Sequence, residues 1–100
     1  MAPTFTQVKI GEVFTVLLLE HPSTGYVWTL KNPSDDIMCE VQIKFDATNG
    51  FQKIGGLVTK IFSLSLKKAG EFELVFTKIR PWEKTSNPIE VHIENIMARE

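Results

Sequence analysis

Large apolar residues alternate with polar ones along most of this chain, with a period of about 2 and not 3.6. The clearest stretch is KIFSLSLKK. Phe62, Leu64 and Leu66 fall on one side, and Ser63, Ser65 and Lys67 on the other, as in a half-buried strand with one wet face. EFELVFTKI repeats this with Phe72, Leu74 and Phe76 set against Glu71 and Glu73. The intervening KKAGEF holds a short turn centred on Gly70, so the two runs are predicted to form an antiparallel hairpin. In CEVQIKFD, Cys39, Val41, Ile43 and Phe45 alternate with Glu40, Gln42, Lys44 and Asp46, and near the C-terminus Ile89, Val91 and Ile93 alternate with Glu90, His92 and Glu94. EVFTVLLLE is apolar on both faces, with Val13, Leu17 and Leu19 on one and Phe14, Val16 and Leu18 on the other, which predicts a strand buried on both sides. Runs at 5–10 and 26–30 bring the expected strands to seven.

No segment carries an apolar stripe of helical spacing over three turns. Short strands separated by turn signals predict an all-β sandwich or barrel. Trp28, early in the third run, favours an immunoglobulin-like β-sandwich of about seven to eight antiparallel strands. The 100 residues suit one domain with its own core, expected over 1–100. Cys39 is the one cysteine, so no intrachain disulfide is possible, and its phase with Val41 and Ile43 predicts a small buried apolar residue.

Three connections are richer than a turn requires: HPSTG between strands two and three, DATNGFQKIGG (46–56) between four and five, and RPWEKTSNP (80–88) between six and seven. Successive connections in a sandwich alternate ends, so these three are expected to converge at one end. Pro22 and Pro81 stiffen two of them, which lowers the entropy lost on binding. Gly55 and Gly56 allow a bend or bulge, or the close approach of another backbone. Trp82, in a polar loop and outside the alternation, is either folded onto the rim of the core or presented to a partner.

Charge and chemistry narrow the options. Eleven Lys and Arg against twelve Asp and Glu leave a net charge of -1, without the basic footprint of a nucleic-acid binder. The longest apolar run, VLLL, is too short to span a membrane. MAPTFTQVKIGEVF lacks the pattern of a signal peptide, so residence in the cytoplasm or in intracellular vesicles is expected. His21, His92 and Cys39 do not lie at metal-ligand spacing, and no metal or cofactor is expected. Ser23 sits on no nucleophile elbow, His92 falls mid-strand on a polar face and Cys39 is also mid-strand, so an enzyme is not expected. Gly55-Gly56 precedes a strand and not the helix that a phosphate cradle needs.

HPSTGYVW, KIGG and RPW, in this order, resemble the chagasin family of cysteine protease inhibitors. The family pattern is Asn-Pro-Thr-Thr-Gly-Tyr-x-Trp, then Gly-x-Gly-Gly, then Arg-Pro-Trp. Pro22, Thr24, Gly25, Tyr26, Trp28, Gly55, Gly56, Arg80, Pro81 and Trp82 match it. His21 stands where the family usually has Asn, Ser23 where it has Thr, and Lys53 where it has the first Gly of the second motif. The resemblance covers essentially the whole chain.

The resemblance implies a reversible, competitive inhibitor of papain-like cysteine peptidases; a monomer is the default expectation. Its three loops would form a wedge filling the catalytic cleft. His21, Pro22, Ser23, Thr24 and Gly25 would lie over the catalytic residues, with Ser23 and Thr24 nearest the thiolate. Lys53, Ile54, Gly55 and Gly56 would occupy the non-primed side through backbone pairing. Arg80, Pro81 and Trp82 would cover the primed side. The alternative is a non-inhibitory immunoglobulin-like interaction domain that uses a sheet face or edge. Large exposed apolar residues on the sheets would favour that alternative, whereas the alternation predicts Glu, Lys and Ser there.

Overall fold

The alternating runs become strands stacked in two layers. The computed structural model describes residues 4–45, 57–83 and 87–100. Among these residues are β1 (Thr6–Lys9), β2 (Phe14–Glu20), β3 (Val27–Leu30), β4 (Ile37–Phe45), β5 (Val58–Leu66), β6 (Gly70–Ile79) and β7 (Glu90–Arg99), with one 3-10 turn at Pro22–Thr24. One sheet runs β1-β7-β6-β3 and the other β2-β5-β4, giving the expected all-β immunoglobulin-like sandwich. One pairing departs from the antiparallel expectation, since β1 lies parallel to β7 over Thr6–Lys9. The two strands stand at opposite ends of the sequence, so no tight turn forces them antiparallel.

The core lies between the sheets. Phe62, Leu64 and Leu66 of β5 meet Leu74 and Phe76 of β6, and Val16, Leu18, Trp28 and Ile96 close the cluster. The Phe62 and Phe76 rings pack edge to face with centroids 4.8 Å apart, an arrangement favoured by the aromatic quadrupole. This contact corrects the expected hairpin: β5 and β6 belong to different sheets. Their apolar faces look at each other across the core. In a hairpin those faces would lie side by side on one surface, so the turn before Gly70 carries the chain from one layer to the other.

Three other expectations change. β2 is buried on one face only: Val16 and Leu18 point inward while Val13, Leu17 and Leu19 are exposed, because the described strands form two layers and the outer face of each has no third layer over it. Cys39 is exposed, not buried. It shares the inward phase with Val41, but β4 is also an edge strand and overhangs the core. Partial desolvation by its neighbours pushes the Cys39 thiol above its ordinary value. On β7 the face assignment is reversed. His92 pairs with Phe76 in register and Glu94 with Leu74, so both are on the core side of the sheet. Val91 and Ile93 point outward and are exposed. The outer surfaces therefore hold large apolar residues where polar ones were expected. Among the described residues no helix is long and apolar enough to cross a membrane.

Candidate functional site

One end of the sandwich rests on a buried polar layer. Glu20, the last residue of β2, is 3% exposed. Its Oε1 accepts a 2.7 Å hydrogen bond from the Trp28 backbone N–H and lies 3.3 Å from Lys60 Nζ. Lys60 in turn donates to the Trp28 carbonyl at 2.7 Å. The Trp28 indole N–H donates to the Leu19 carbonyl at 2.9 Å, and the side chain is in the core. β3 is an edge strand, and the Trp28 backbone groups are those turned away from β6. The Glu20–Lys60 pair thus does for that edge what a further strand would do, and leaves neither charge unpaired. Lys78 adds to the layer, with Nζ 3.6 Å from Glu90 Oε1 and 5.8 Å from the Trp28 ring centroid. Sequence reasoning missed this layer, although it left a signal. Glu20 is in phase with Val16 and Leu18, and Lys60 with Phe62, so opposite charges occupy inward positions on neighbouring strands.

The first loop rises from this base. Pro22–Thr24 forms the 3-10 turn, and Gly25 follows with φ +79°, a left-handed conformation suited to glycine. The loop is tied internally. The His21 carbonyl accepts from Thr24 N–H at 3.1 Å and from the Thr24 hydroxyl at 2.8 Å. The same Thr24 oxygen accepts from Tyr26 N–H at 3.3 Å, and the Pro22 carbonyl accepts from Gly25 N–H at 3.1 Å. His21, Pro22, Ser23 and Thr24 are all exposed, but Thr24 points its hydroxyl back into the loop. His21 holds the N-cap position without a capping bond from its side chain.

The third loop is fastened to the first. Arg80 Nε donates to the Thr24 carbonyl at 3.2 Å, and the guanidinium carbon sits 4.3 Å from the centroid of the Tyr26 ring, a stacked cation–π geometry. A turn closed by Glu83 N–H to the Arg80 carbonyl (3.0 Å) places Pro81 and Trp82 at its bend, and Arg80 also pairs with Glu83 at 3.2 Å. The Trp82 ring lies against the Gly25 Cα so closely that a Cβ there would run into the indole. Trp82 nevertheless remains 66% exposed. It is thus both folded against a neighbouring loop and presented. His21, Pro22, Ser23, Thr24, Gly25, Arg80, Pro81 and Trp82 form one continuous edge.

Lys53, Ile54, Gly55 and Gly56 lie outside the described residues. The strands that flank their loop end level with the base of the first loop, because Val58 pairs with both Phe45 and Glu20. Among the described residues no group of three or more His, Cys, Asp or Glu side chains is placed to hold a metal ion. What the edge offers is shape: a stiff 3-10 turn, an exposed indole and a glycine contact between two loops.

Comparison with known proteins agrees with this architecture. Over residues 7–95 the chain matches the model of the family described as Chagasin family peptidase inhibitor I42. Chagasin from Trypanosoma cruzi is 27% identical over 88 residues, covering 83% of this chain and 78% of its own length. The crystal structure of a cysteine protease inhibitor from Entamoeba histolytica superposes with a TM-score of 0.76 at 22% identity, covering 93% of this chain and 83% of that one. The solution structure of amebosin gives the same TM-score of 0.76 and identity of 22%, over 96% of this chain and 89% of that one. The two structures share the fold of this protein. With the family match spanning most of its length, the chain belongs to the chagasin family of peptidase inhibitors.

Proposed function

We propose that this protein is a reversible, competitive inhibitor of papain-like cysteine peptidases, and that the joined first and third loops enter the catalytic cleft together with the segment at 53–56. The observation that carries the reading is the fastening of the two loops through Arg80 to Thr24 and Tyr26, and of Trp82 to Gly25. A surface shaped before binding loses less entropy on association. The first loop is also a poor substrate. Peptidase clefts bind extended backbone, whereas Pro22–Thr24 is coiled and the carbonyls of His21 and Pro22 are already engaged within the loop. Blockage then needs occupancy alone and no covalent step. On this reading Ser23 and Thr24 face the catalytic cysteine, Trp82 covers the primed side, and Ile54 with Gly55 and Gly56 covers the non-primed side.

Titration of papain with the purified protein tests this. Expected are stoichiometric loss of activity, recovery on dilution, competition with substrate and an unchanged inhibitor mass after long incubation. Full activity at large molar excess would overturn the reading. A second reading, an interaction domain acting through its sheets, is favoured by the exposed Leu17, Leu19, Val91 and Ile93. It predicts that papain is left untouched.

A further inference from the structure

Among the described residues the β2-β5-β4 sheet ends in two unlike edges. On β2 the inward side chains Val16 and Leu18 are buried and Phe14 is half-buried, while the outward ones are exposed. On β4 apolar side chains of both faces are exposed: Met38 outward, and Val41 (49%) and Ile43 (53%) on the inward side. They are uncovered because β3 and β4 do not close on each other. An open cleft of about 420 Å³ separates them, walled by Trp28, Leu30, Cys39, Val41 and Phe62.

β4 also lacks the usual guards of an exposed edge. Its nine residues, Ile37–Phe45, pair one to one with β5 without a bulge and contain no proline. Its outward charges are two of opposite sign, Glu40 and Lys44, spaced symmetrically about Gln42.

We propose that β4 is a self-association edge, along which two copies of this chain pair antiparallel about Gln42. In that register Glu40 of each copy faces Lys44 of the other on the outward face, and Val41 faces Ile43 on the inward face. Opposite charges and apolar pairs directly across strands are both favourable. Centring the pairing on Glu40 or on Lys44 sets like charges opposite one another, and centring it on Val41 or Ile43 leaves both charges without an opposite charge across the seam, so the charge pattern favours the register about Gln42. Three strands from each copy join into one six-stranded sheet. The antiparallel arrangement sends the two sets of first and third loops to opposite ends, so pairing leaves both free. A single strand-to-strand seam falls in the small-interface class, under roughly 1,200 Å² in total, so the dimer dissociates on dilution.

Sedimentation velocity from micromolar to millimolar concentration tests this directly. The mass is expected to rise with concentration from 11.3 kDa toward twice that value. The exposed-site variant Val41→Lys is expected to remain at the mass of one chain while inhibiting papain as the parent does. Register is read by cross-linking under copper–phenanthroline oxidation. Gln42→Cys in a Cys39→Ser background is expected to give a covalent dimer, and Leu17→Cys in the same background, on the β2 edge, is not. A mass fixed at one chain at the highest concentration overturns the proposal. So does a Leu17→Cys cross-link as fast as that of Gln42→Cys, or association undiminished by Val41→Lys.

Discussion

β3 and β4 are both edge strands on the same side of the sandwich, and they are finished in different ways. At β3 the outward backbone groups of Trp28 are taken by Glu20 and Lys60, charged side chains reaching across from the other sheet. The loop just before β3 is then held by Thr24, Arg80 and Trp82. At β4 a regular nine-residue strand has no further strand beside it among the described residues and carries exposed apolar side chains on both faces. Where a loop must keep a shape for a partner, polar side chains fix the backbone beneath it. Where an edge is left open, it can take backbone from a second chain.

The sharpest way to break the comparison is to remove the β3 tie. Taking one member from a buried ion pair strands the other, at about 3–5 kcal/mol. Glu20→Ala leaves the half-buried Lys60 without its carboxylate and the Trp28 N–H without its acceptor, so urea unfolding is expected to show a loss of about 3 kcal/mol. Many buried pairs are replaced by apolar residues without loss. Here the double variant Glu20→Leu with Lys60→Met is expected to recover only part of the stability, since Trp28 N–H and C=O remain unsatisfied. Complete recovery would show that the backbone contacts are idle and that β3 needs no surrogate strand.

The next largest effects lie where the third loop meets the first. Trp82→Ala removes the exposed indole, and inhibition of papain is expected to weaken by roughly 2 kcal/mol, about thirtyfold. An unchanged inhibition constant would make the third loop peripheral. Gly25→Ala tests the contact from the other side. It forces a Cβ onto a residue at φ +79° and into the indole ring, so a loss of more than about 1 kcal/mol is expected in thermal unfolding. In a Trp82→Ala background the steric part should vanish and the backbone strain remain. Equal losses in both backgrounds would mean that the two loops are not in register through this contact.

These residues also mark how much was legible in the sequence. The strands were, because a period of about 2 follows directly from pleating, and so was the meeting of the first and third loops, because connections alternate ends. Which sheet each strand joins was not. The short turn before Gly70 fits a hairpin as well as a crossing between layers, and only the Phe62–Phe76 contact across the core distinguishes them. Burial at edges was not legible either. Cys39, Val41 and Leu17 carry the same alternation as core residues, but position in the sheet decides what covers them. The motif loops named the candidate residues, yet they hid that Arg80 and Thr24 direct their hydrogen bonds at each other's loop or their own. Glu20 and Lys60 lay in plain phase with the core, and a charge in that phase signals a buried partner.

The smallest change sharpens the comparison at the foot of the β3 loop. His21 occupies an N-cap position with φ −108° and ψ 98° and gives no side-chain cap, whereas the related motif usually has Asn, a strong capping residue. The His21 carbonyl already accepts from Thr24 N–H and Oγ1, so the turn is closed by backbone and by Thr24 alone. His21→Asn adds a short side-chain acceptor at that position. It is expected to raise stability by about 0.5–1 kcal/mol and to tighten papain inhibition by a smaller factor, since a stiffer loop loses less entropy on binding. Thermal unfolding and inhibition constants measured on the same preparation separate the outcomes. A gain in stability with weaker inhibition would mean that the imidazole itself touches the peptidase. No change in either would mean that Thr24 and Pro22 already hold the turn without help from residue 21.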